Sequence, residues 1–233
     1  VPIVYVDQDL IVIDKPAGLV VHPGAGNATG TLVQAMLAVH PEIATVGEPE
    51  RPGVVHRLDK DTSGLMLLAR SNAGYAELSE MMAAHEIERT YLTLVWGVPE
   101  ARSGLVDAPI GRSAREPTKM VVSAQGREAR TRYTVLEAFT EPVPCALVEC
   151  RLETGRTHQI RVHMAAIGHA VVGDDRYRGV RPAIVTPRIF LHSAALALDH
   201  PVRPEEHLEF VSELPADLLS VLEMLRNPTP TEA

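Results

Sequence analysis

The polar loop at residues 56–64 contains the strongest candidate nucleophile of the chain. Its sequence, His-Arg-Leu-Asp-Lys-Asp-Thr-Ser-Gly, lies between the apolar pair Val54-Val55 and the apolar run 65–68. This pattern predicts a loop between two buried strands, which is a rigid place for a reactive group. Asp59 has charged and hydroxyl neighbours, so it could be partly desolvated and still ionised, as a carboxylate nucleophile must be. Taken alone, the pattern favours a turn whose aspartates accept hydrogen bonds from nearby backbone N–H groups.

Two further segments place polar side chains beside apolar stripes. The strand predicted over 87–98 puts Tyr91 on a face with a threonine and a glycine, which suggests the side of a cleft. The helix predicted over 156–167 puts His158 and Arg161, three residues apart, next to its apolar stripe. A structural salt bridge to any carboxylate would explain an arginine in that position.

The elements that must position these groups predict an α+β fold. Predicted strands outnumber helices, and hairpin-like neighbours outnumber strand-helix-strand units, so we expect a mostly antiparallel mixed sheet with covering helices. Ser71 or Asn72 is expected to cap a helix that ends near His85. The chain of 233 residues can bury a substantial core. We expect one domain over 1–226 and a flexible tail over 227–233.

Composition and charge exclude several classes of protein. A net charge of −8 argues against a general nucleic-acid coat protein. The apolar runs are far shorter than the ~20 residues of a membrane span, and no signal peptide precedes them, so a cytoplasmic protein without membrane contact is expected. A basic segment nevertheless occupies residues 111–132. Its cations are Arg112, Arg115, Lys119, Arg127, Arg130 and Arg132, and its acids are Glu116 and Glu128.

The ten histidines invite a metal hypothesis that their spacing does not support. His158 and His163 are five residues apart, and His85 lacks the second histidine that a metalloprotease helix requires. Cys145 and Cys150 are predicted on one strand with side chains on opposite faces, so they are expected to stay reduced. No metal site is therefore predicted.

Three separated motifs resemble those of the RluA/RluD family of RNA pseudouridine synthases. They are the loop 56–64, the segment Arg-Thr-Tyr-Leu-Thr-Leu-Val-Trp-Gly at 89–97, and the segment Thr-Gly-Arg-Thr-His-Gln-Ile-Arg-Val-His at 154–163. The segments 15–24 and 111–120 are similar to two further motifs of that family. The histidine before Arg-Leu-Asp favours this family over the related RsuA-like enzymes, and the first motif looks most like that of the RluD branch.

The resemblance implies a pseudouridine synthase catalytic domain with a central active-site cleft. It also implies an isomerase that acts on large-subunit ribosomal RNA. Uridine is detached, turned and rejoined through carbon, so no metal, nucleotide or redox cofactor is expected. RluD-type members typically carry an S4-like RNA-binding domain ahead of the catalytic domain, and the start at Val1-Pro2 predicts that this chain lacks it. We expect a monomer.

The family roles can be carried over to three catalytic residues. Asp59 would be the nucleophile, with attack at the base or at the sugar carbon left open. Tyr91 would lie against the uracil ring and serve as a base during the rearrangement. Arg161 would pair with Asp59 and keep it ionised and oriented.

The resemblance also implies residues that hold RNA. The target base must leave its stack, and Arg57 is the candidate for filling the gap, with His56 shaping the same loop. Lys119 and the other cations of the basic segment would contact phosphates, largely without regard to sequence. Arg156 and His158 complete the predicted RNA-binding or substrate-binding set.

Two other functions remain as alternatives. A glycosidase could use Asp59 and Asp61 as a carboxylate pair, since that reaction also breaks a glycosidic bond, but two residues apart on a loop is poor evidence for a defined carboxylate separation. A non-catalytic RNA-binding module could keep the fold without the activity, although the presence of Asp59, Tyr91 and Arg161 together argues against it.

Overall fold

The computed structural model describes residues 1–24 and 26–228, which form two compact units. Unit 1 comprises Val1–Arg89 and Ser193–Ser212, and unit 2 comprises Thr90–His192 and Glu213–Ala233. The single domain expected over 1–226 stays a prediction, and most of the expected tail at 227–233 lies outside the described residues. In the described part of the chain, no helix is long and apolar enough to cross a membrane.

The chain contains eleven strands and four α-helices within its described residues. The strands are β1 (Ile3–Val6), β2 (Leu10–Lys15), β3 (Ser63–Ala69), β4 (Glu88–Trp96), β5 (Ser103–Asp107), β6 (Ile110–Arg112), β7 (Met120–Val122), β8 (Arg130–Phe139), β9 (Cys145–Leu152), β10 (Leu191–Asp199) and β11 (His207–Val211). The helices are α1 (Leu32–Val39), α2 (Asn72–Ala84), α3 (Gln159–Ala166) and α4 (Ala216–Arg226), with a 3-10 turn at Pro41–Thr45. The predicted α+β class is confirmed.

The sheet of unit 1 has the strand order β1-β2-β3-β10, with β11 paired to β10. The pairs β1–β2, β2–β3 and β10–β11 are antiparallel. Side chains at alternate positions, including Leu10 and Val12 of β2 and Leu65 and Leu67 of β3, pack with Leu78 of α2 in one hydrophobic cluster. All seven residues of β3 are buried. The candidate loop thus runs directly into a strand that the core holds along its whole length.

The strand predicted at Val54-Val55, before the candidate loop, does not form. Val54 makes only an isolated bridge with Leu68. Strand β3 has β2 along one edge and β10 as its other neighbour, which leaves little room for another strand. Gly53 also turns the chain here, because its φ is +71° and a Cβ atom at this position would lie 2.6 Å from the Ala69 carbonyl oxygen.

Helix α2 begins and ends where its capping residues predict. The Ser71 side-chain oxygen accepts a hydrogen bond of 2.9 Å from the Gly74 backbone N–H. His85 follows the helix with φ of +65°, the left-handed conformation that ends many helices. The predicted boundaries of this helix are confirmed.

Unit 2 contains a second antiparallel arrangement, with the strand order β4-β9-β8-β5. Helix α4 covers part of it, and its Leu218 and Leu222 pack in one cluster with Trp96. Cys145 and Cys150 of β9 are buried and not disulfide-bonded, as predicted. Burial raises the pKa of Cys145 to about 11 and, together with the nearby Glu149 carboxylate, that of Cys150 to about 12. Both thiols are therefore protonated at neutral pH.

Helix α3 starts three residues later than predicted. Its first residue is Gln159, and His158 before it has φ of +58°, which no α-helix accommodates. The Gln159 side-chain oxygen accepts hydrogen bonds from the Thr154 hydroxyl (2.7 Å) and the Arg156 N–H (3.0 Å). These bonds hold the segment before the helix in a turn, an outcome that hydrophobic periodicity cannot show.

Candidate active site

In unit 1, a buried lysine fastens the loop that carries Asp59. Lys15, at the end of β2, is fully buried. Its ammonium group donates hydrogen bonds to the carbonyl oxygens of Pro16 (3.0 Å), Leu19 (2.9 Å) and Lys60 (3.0 Å). Lys60 directly follows Asp59, and its carbonyl also accepts from the Gly18 N–H at 2.9 Å. The backbone next to the half-buried Asp59 is therefore tied to the first motif of the chain.

Close packing fixes the end of the same loop. Gly64 has φ of +107°, and a Cβ atom there would lie 2.2 Å from the Ser193 carbonyl oxygen. Only glycine suits this conformation and this separation. Asp59 thus lies between two points at which the backbone is held.

His56 stabilises the loop as a neutral hydrogen-bond acceptor. Its Nε2 accepts a hydrogen bond of 2.9 Å from the Leu67 N–H in β3. Burial, with the nearby Arg89 guanidinium, lowers the pKa of His56 to about 3. This contact agrees with the role of shaping the loop, whereas contact of His56 with RNA stays a prediction. Arg57, the next residue, is exposed.

In unit 2, Tyr91 is buried on the central part of β4. Its side chain is 5% exposed, and the residue lies opposite Cys150 in the antiparallel pair β4–β9. Thr93, two residues further on the same face, donates a hydrogen bond of 2.8 Å to the Phe190 carbonyl. The placement of Tyr91 against a uracil ring stays a prediction.

Arg161 forms the structural salt bridge that its position predicts, and the partner is Asp174. The Arg161 Nε lies 2.7 Å from Asp174 Oδ2, and its Nη2 lies 2.9 Å from Asp174 Oδ1. Asp174 is fully buried and also accepts from the backbone N–H groups of Arg176 and Tyr177. This bidentate pair fixes the plane of the guanidinium. The predicted pairing of Arg161 with Asp59 stays a prediction.

Tyr177 gathers several of the predicted residues around one ring. Its hydroxyl lies 2.9 Å from His158 Nδ1 and accepts a hydrogen bond of 3.1 Å from the Met120 N–H. The Arg161 guanidinium lies 5.2 Å, and the Lys119 ammonium 5.7 Å, from the ring centroid. Within unit 2 the structure therefore brings His158, Lys119 and Arg161 together around this tyrosine.

Sequence reasoning missed Lys15, Asp174 and Tyr177 as parts of the site. Lys15 was noted only within the segment 15–24, which resembles a motif of the family, and no role was predicted for the two others. A signal for Asp174 existed, because the apolar setting of Arg161 calls for a carboxylate and the loop at 171–177 offers an adjacent pair of aspartates. No comparable signal pointed to Tyr177.

Comparison with known proteins identifies the family of this chain. A family model described as RNA pseudouridylate synthase matches residues 9–166. An uncharacterized RNA pseudouridine synthase, YlyB of Bacillus subtilis (strain 168), is 43% identical over 224 residues, which is 96% of this chain and 72% of that protein. The chain belongs to the RNA pseudouridylate synthase family. The family predicted from the three motifs is thereby confirmed, and with it the enzyme class, an isomerase that acts on RNA.

Further relatives of the synthase family agree in sequence and in fold. Ribosomal large subunit pseudouridine synthase D of Nitrosomonas europaea is 46% identical over 232 residues, which is 97% of this chain and 65% of that protein. Among solved structures, human RNA pseudouridylate synthase domain containing 4 superimposes with a TM-score of 0.73 at 28% identity, over 99% of this chain and 95% of that one. Domain containing 1 of the same human series gives a TM-score of 0.70 at 25% identity, over 97% and 94%.

Two of the cations predicted to bind RNA, both on strand β8, pair with carboxylates of the protein. Arg130 pairs with Asp107 and Glu128, and Arg132 pairs with Glu153. Strands β5 and β9 flank β8 and place Asp107 and Glu153 near its arginines. Both acids lie outside the basic segment 111–132. The charges of these two arginines are partly compensated by carboxylates, and their contact with RNA phosphates stays a prediction.

Arg156 contacts a backbone carbonyl group. Its Nε donates a hydrogen bond of 2.9 Å to the Glu128 carbonyl. Burial, with the nearby Arg127 cation, lowers the pKa of Arg156. The role of Arg156 in RNA binding stays a prediction.

Among the described residues, Asp7, Asp9 and His200 form a group whose geometry could suit a metal ion. A protein cation already lies against it, because Arg203 Nη2 is 2.9 Å from Asp7 and Nη1 is 3.8 Å from Asp9. Partial burial acts to raise the pKa of Asp7, but hydrogen bonds from backbone N–H groups, Arg203 and His200 hold it well below its usual range. The arginine provides the positive charge that a metal would supply.

Proposed function

We propose that this chain converts uridine to pseudouridine in large-subunit ribosomal RNA, with Asp59 as the nucleophile. Support for the substrate comes from relatives named ribosomal large subunit pseudouridine synthase D, which include proteins 41% to 46% identical to this chain. The observation that carries the proposal is the half-buried Asp59 in a loop fastened by Lys15 and closed by Gly64. A fixed carboxylate is what nucleophilic attack requires.

The proposed chemistry balances without a cofactor. The Asp59 carboxylate adds either to the uracil ring or to C1′ of the ribose, and the N1–C1′ bond breaks. The base turns, a C5–C1′ bond forms, and the carboxylate is released. C5 loses one proton and N1 gains one, so nothing is oxidised or hydrolysed. Tyr91 is the proposed acceptor of the C5 proton and the surface against which the uracil lies.

Arg161 is proposed to orient the Asp59 carboxylate. A guanidinium group has five N–H donors, and the pair with Asp174 uses the edge formed by Nε and Nη2. The geometry of Arg161 therefore permits a second carboxylate partner. Arg57, which is exposed beside Asp59, is proposed to occupy the space that the flipped uridine leaves in the RNA stack.

The test compares Asp59→Asn with Asp61→Asn on three RNAs. Unmodified large-subunit ribosomal RNA, small-subunit ribosomal RNA and transfer RNA are incubated with each protein, and pseudouridine is mapped by position. We expect product in the large-subunit RNA with the wild-type protein and none with Asp59→Asn, whereas Asp61→Asn keeps the activity because Asp61 is exposed.

Other outcomes would select another function. Product with Asp59→Asn would remove Asp59 as the nucleophile. Product confined to transfer RNA would change the substrate but not the reaction. Release of free uracil would indicate the glycosidase, and RNA binding without product would indicate the non-catalytic module. Location in the cytoplasm and the monomeric state stay predictions.

A further inference from the structure

Unit 2 contains a pocket whose charged lining residues are all cations. Its volume is about 470 Å³, within the range of about 300–1,000 Å³ that is common for ligand sites. Helix α3, strand β7 and the segment after Gly168 supply its walls. The charged residues in the lining are Lys119, Arg176, Arg178 and Arg181.

Three of the four cations contact carbonyl or aromatic groups. Arg176 Nη1 donates a hydrogen bond of 3.0 Å to the Thr118 carbonyl. Lys119 lies near the Tyr177 ring, and the Arg181 guanidinium lies 4.8 Å from the centroid of the Trp96 ring. No ion pair to a carboxylate is present for any of the four in the part of the chain that the structure describes. They differ in this from the arginines of β8, which pair with carboxylates.

The rest of the lining is apolar. Met120, Val162 and Ala165 contribute to it, together with the ring of Tyr177. A ligand that suits both the cationic and the apolar part of the lining must combine concentrated negative charge with a flat apolar group. Guanidinium groups match phosphate in geometry, and an unstacked nucleobase matches the apolar wall.

We propose that this pocket holds an unpaired nucleotide of the RNA substrate, with its phosphates on the arginines and its base on the apolar wall. This inference rests on the proposed function, because the RNA substrate is the source of the nucleotide. The Tyr177 ring joins the pocket to Arg161, whose guanidinium lies 5.2 Å from its centroid.

The single tryptophan provides a direct test of occupancy. Trp96 is the only tryptophan of the chain, is 2% exposed, and has Arg181 over its ring. An anion that binds Arg181 will change the tryptophan fluorescence. We expect a saturable change with a short single-stranded oligouridylate and a weaker one with inorganic phosphate. An equally strong response to poly-glutamate of the same charge would overturn the assignment to RNA.

The double substitution Arg176→Gln with Arg178→Gln tests the contribution of the pocket to RNA binding. We expect the Kd for ribosomal RNA to rise about tenfold and the dependence of log K on log salt to become shallower by about 1.5, as expected for two lost phosphate contacts. Arg226→Gln is the matched control, because Arg226 is an exposed arginine of unit 2 that pairs with Glu137. The control is expected to bind RNA like the wild-type protein.

The same samples separate this proposal from the proposed function. Single-turnover pseudouridine formation at saturating RNA is measured beside the fluorescence titration. An active wild-type protein and an unchanged Kd for RNA in the double variant would overturn the proposal that the pocket binds RNA. If the wild-type protein binds RNA but forms no product, and the double variant loses this binding, the proposed function is overturned. The proposal that the pocket binds RNA is then retained. Circular dichroism confirms that the variants fold.

Discussion

The Lys15 ammonium nitrogen lies 3.0 Å from the carbonyl oxygen of Lys60, the residue that follows the proposed nucleophile. This contact joins the end of β2 to the loop at 56–64 across 45 positions of sequence. Hydrogen bonds from a charged donor are each worth about 1.5–3 kcal/mol, and Lys15 makes three of them to backbone carbonyls. A buried cation therefore positions the Asp59 loop.

Lys15→Met is expected to destabilise the protein and slow the reaction. The substitution keeps most of the side-chain volume and removes the cost of burying a cation, but it leaves three carbonyls without this donor. The free energy of unfolding should therefore fall by about 2–3 kcal/mol, less than the sum of the three hydrogen bonds. Because the loop then moves relative to the bound uridine, kcat should fall more than KM rises. Denaturant unfolding and steady-state kinetics check this. Lys60→Met, at an exposed position, should leave the unfolding free energy within about 0.5 kcal/mol of wild type, and equal destabilisation by both would contradict the role of Lys15.

Asp174→Asn should be strongly destabilising, because it leaves the Arg161 cation buried without its bidentate carboxylate. Breaking one side of a buried pair costs about 3–5 kcal/mol. The matched control is Asp175→Asn, since Asp175 is 84% exposed and 4.0 Å from Arg161, and it should change stability by less than about 0.5 kcal/mol. Thermal and denaturant unfolding provide the measurement. Similar stabilities for the two variants would show that Asp174 does not hold Arg161 as described.

Gly64→Ala should be more damaging than Gly18→Ala. Both glycines have positive φ, +107° and +82°, so both substitutions add backbone strain of about 1–3 kcal/mol. Only at Gly64 would the new Cβ atom meet a neighbour, the Ser193 carbonyl at 2.2 Å, whereas Gly18 has nothing within 4 Å. We expect Gly64→Ala to lose soluble expression or activity while Gly18→Ala keeps both, which a melting curve and the pseudouridine assay will show.

His56 should make the protein less stable as the pH falls. Its pKa in the folded protein, about 3, lies below the unfolded value of 6.5, so the unfolded chain binds this proton first. Stability from the neutral imidazole is therefore complete above about pH 6.5 and is lost towards pH 3. Between pH 7.5 and 5 the wild-type protein should lose about 2 kcal/mol more unfolding free energy than His56→Gln. The glutamine can accept from the Leu67 N–H and does not titrate. Parallel pH curves for the two proteins would contradict this prediction.

Local sequence signals predicted the features that depend on local structure. The limits of α2 followed from Ser71 and His85, since capping bonds join residues three or four apart. The family followed from three motifs, each contiguous in sequence. Arg161 was expected to need a carboxylate, because burial of a cation is costly wherever it occurs.

Features that depend on the pairing of distant segments could not be predicted. The edges of β3 are taken by β2 and β10, so the strand expected at Val54 has no partner edge. The ion pair of Arg130 with Asp107 depends on the pairing of β5 with β8, which brings the two residues opposite each other. The turn before α3 depends on side-chain hydrogen bonds of Gln159. The spacing of hydrophobic residues in the sequence cannot predict such bonds.

The order of the segments in unit 1 has a consequence for synthesis of the protein. Strand β10, the neighbour of β3, leaves the ribosome only after residues 90–190, which form most of unit 2. Until then the nascent chain carries a hydrophobic strand with an unfinished edge, and such edges pair readily with other chains. The sheet of unit 1 therefore cannot be completed before β10 has emerged from the ribosome. Aggregation of truncated translation products should rise for chains that stop before residue 191.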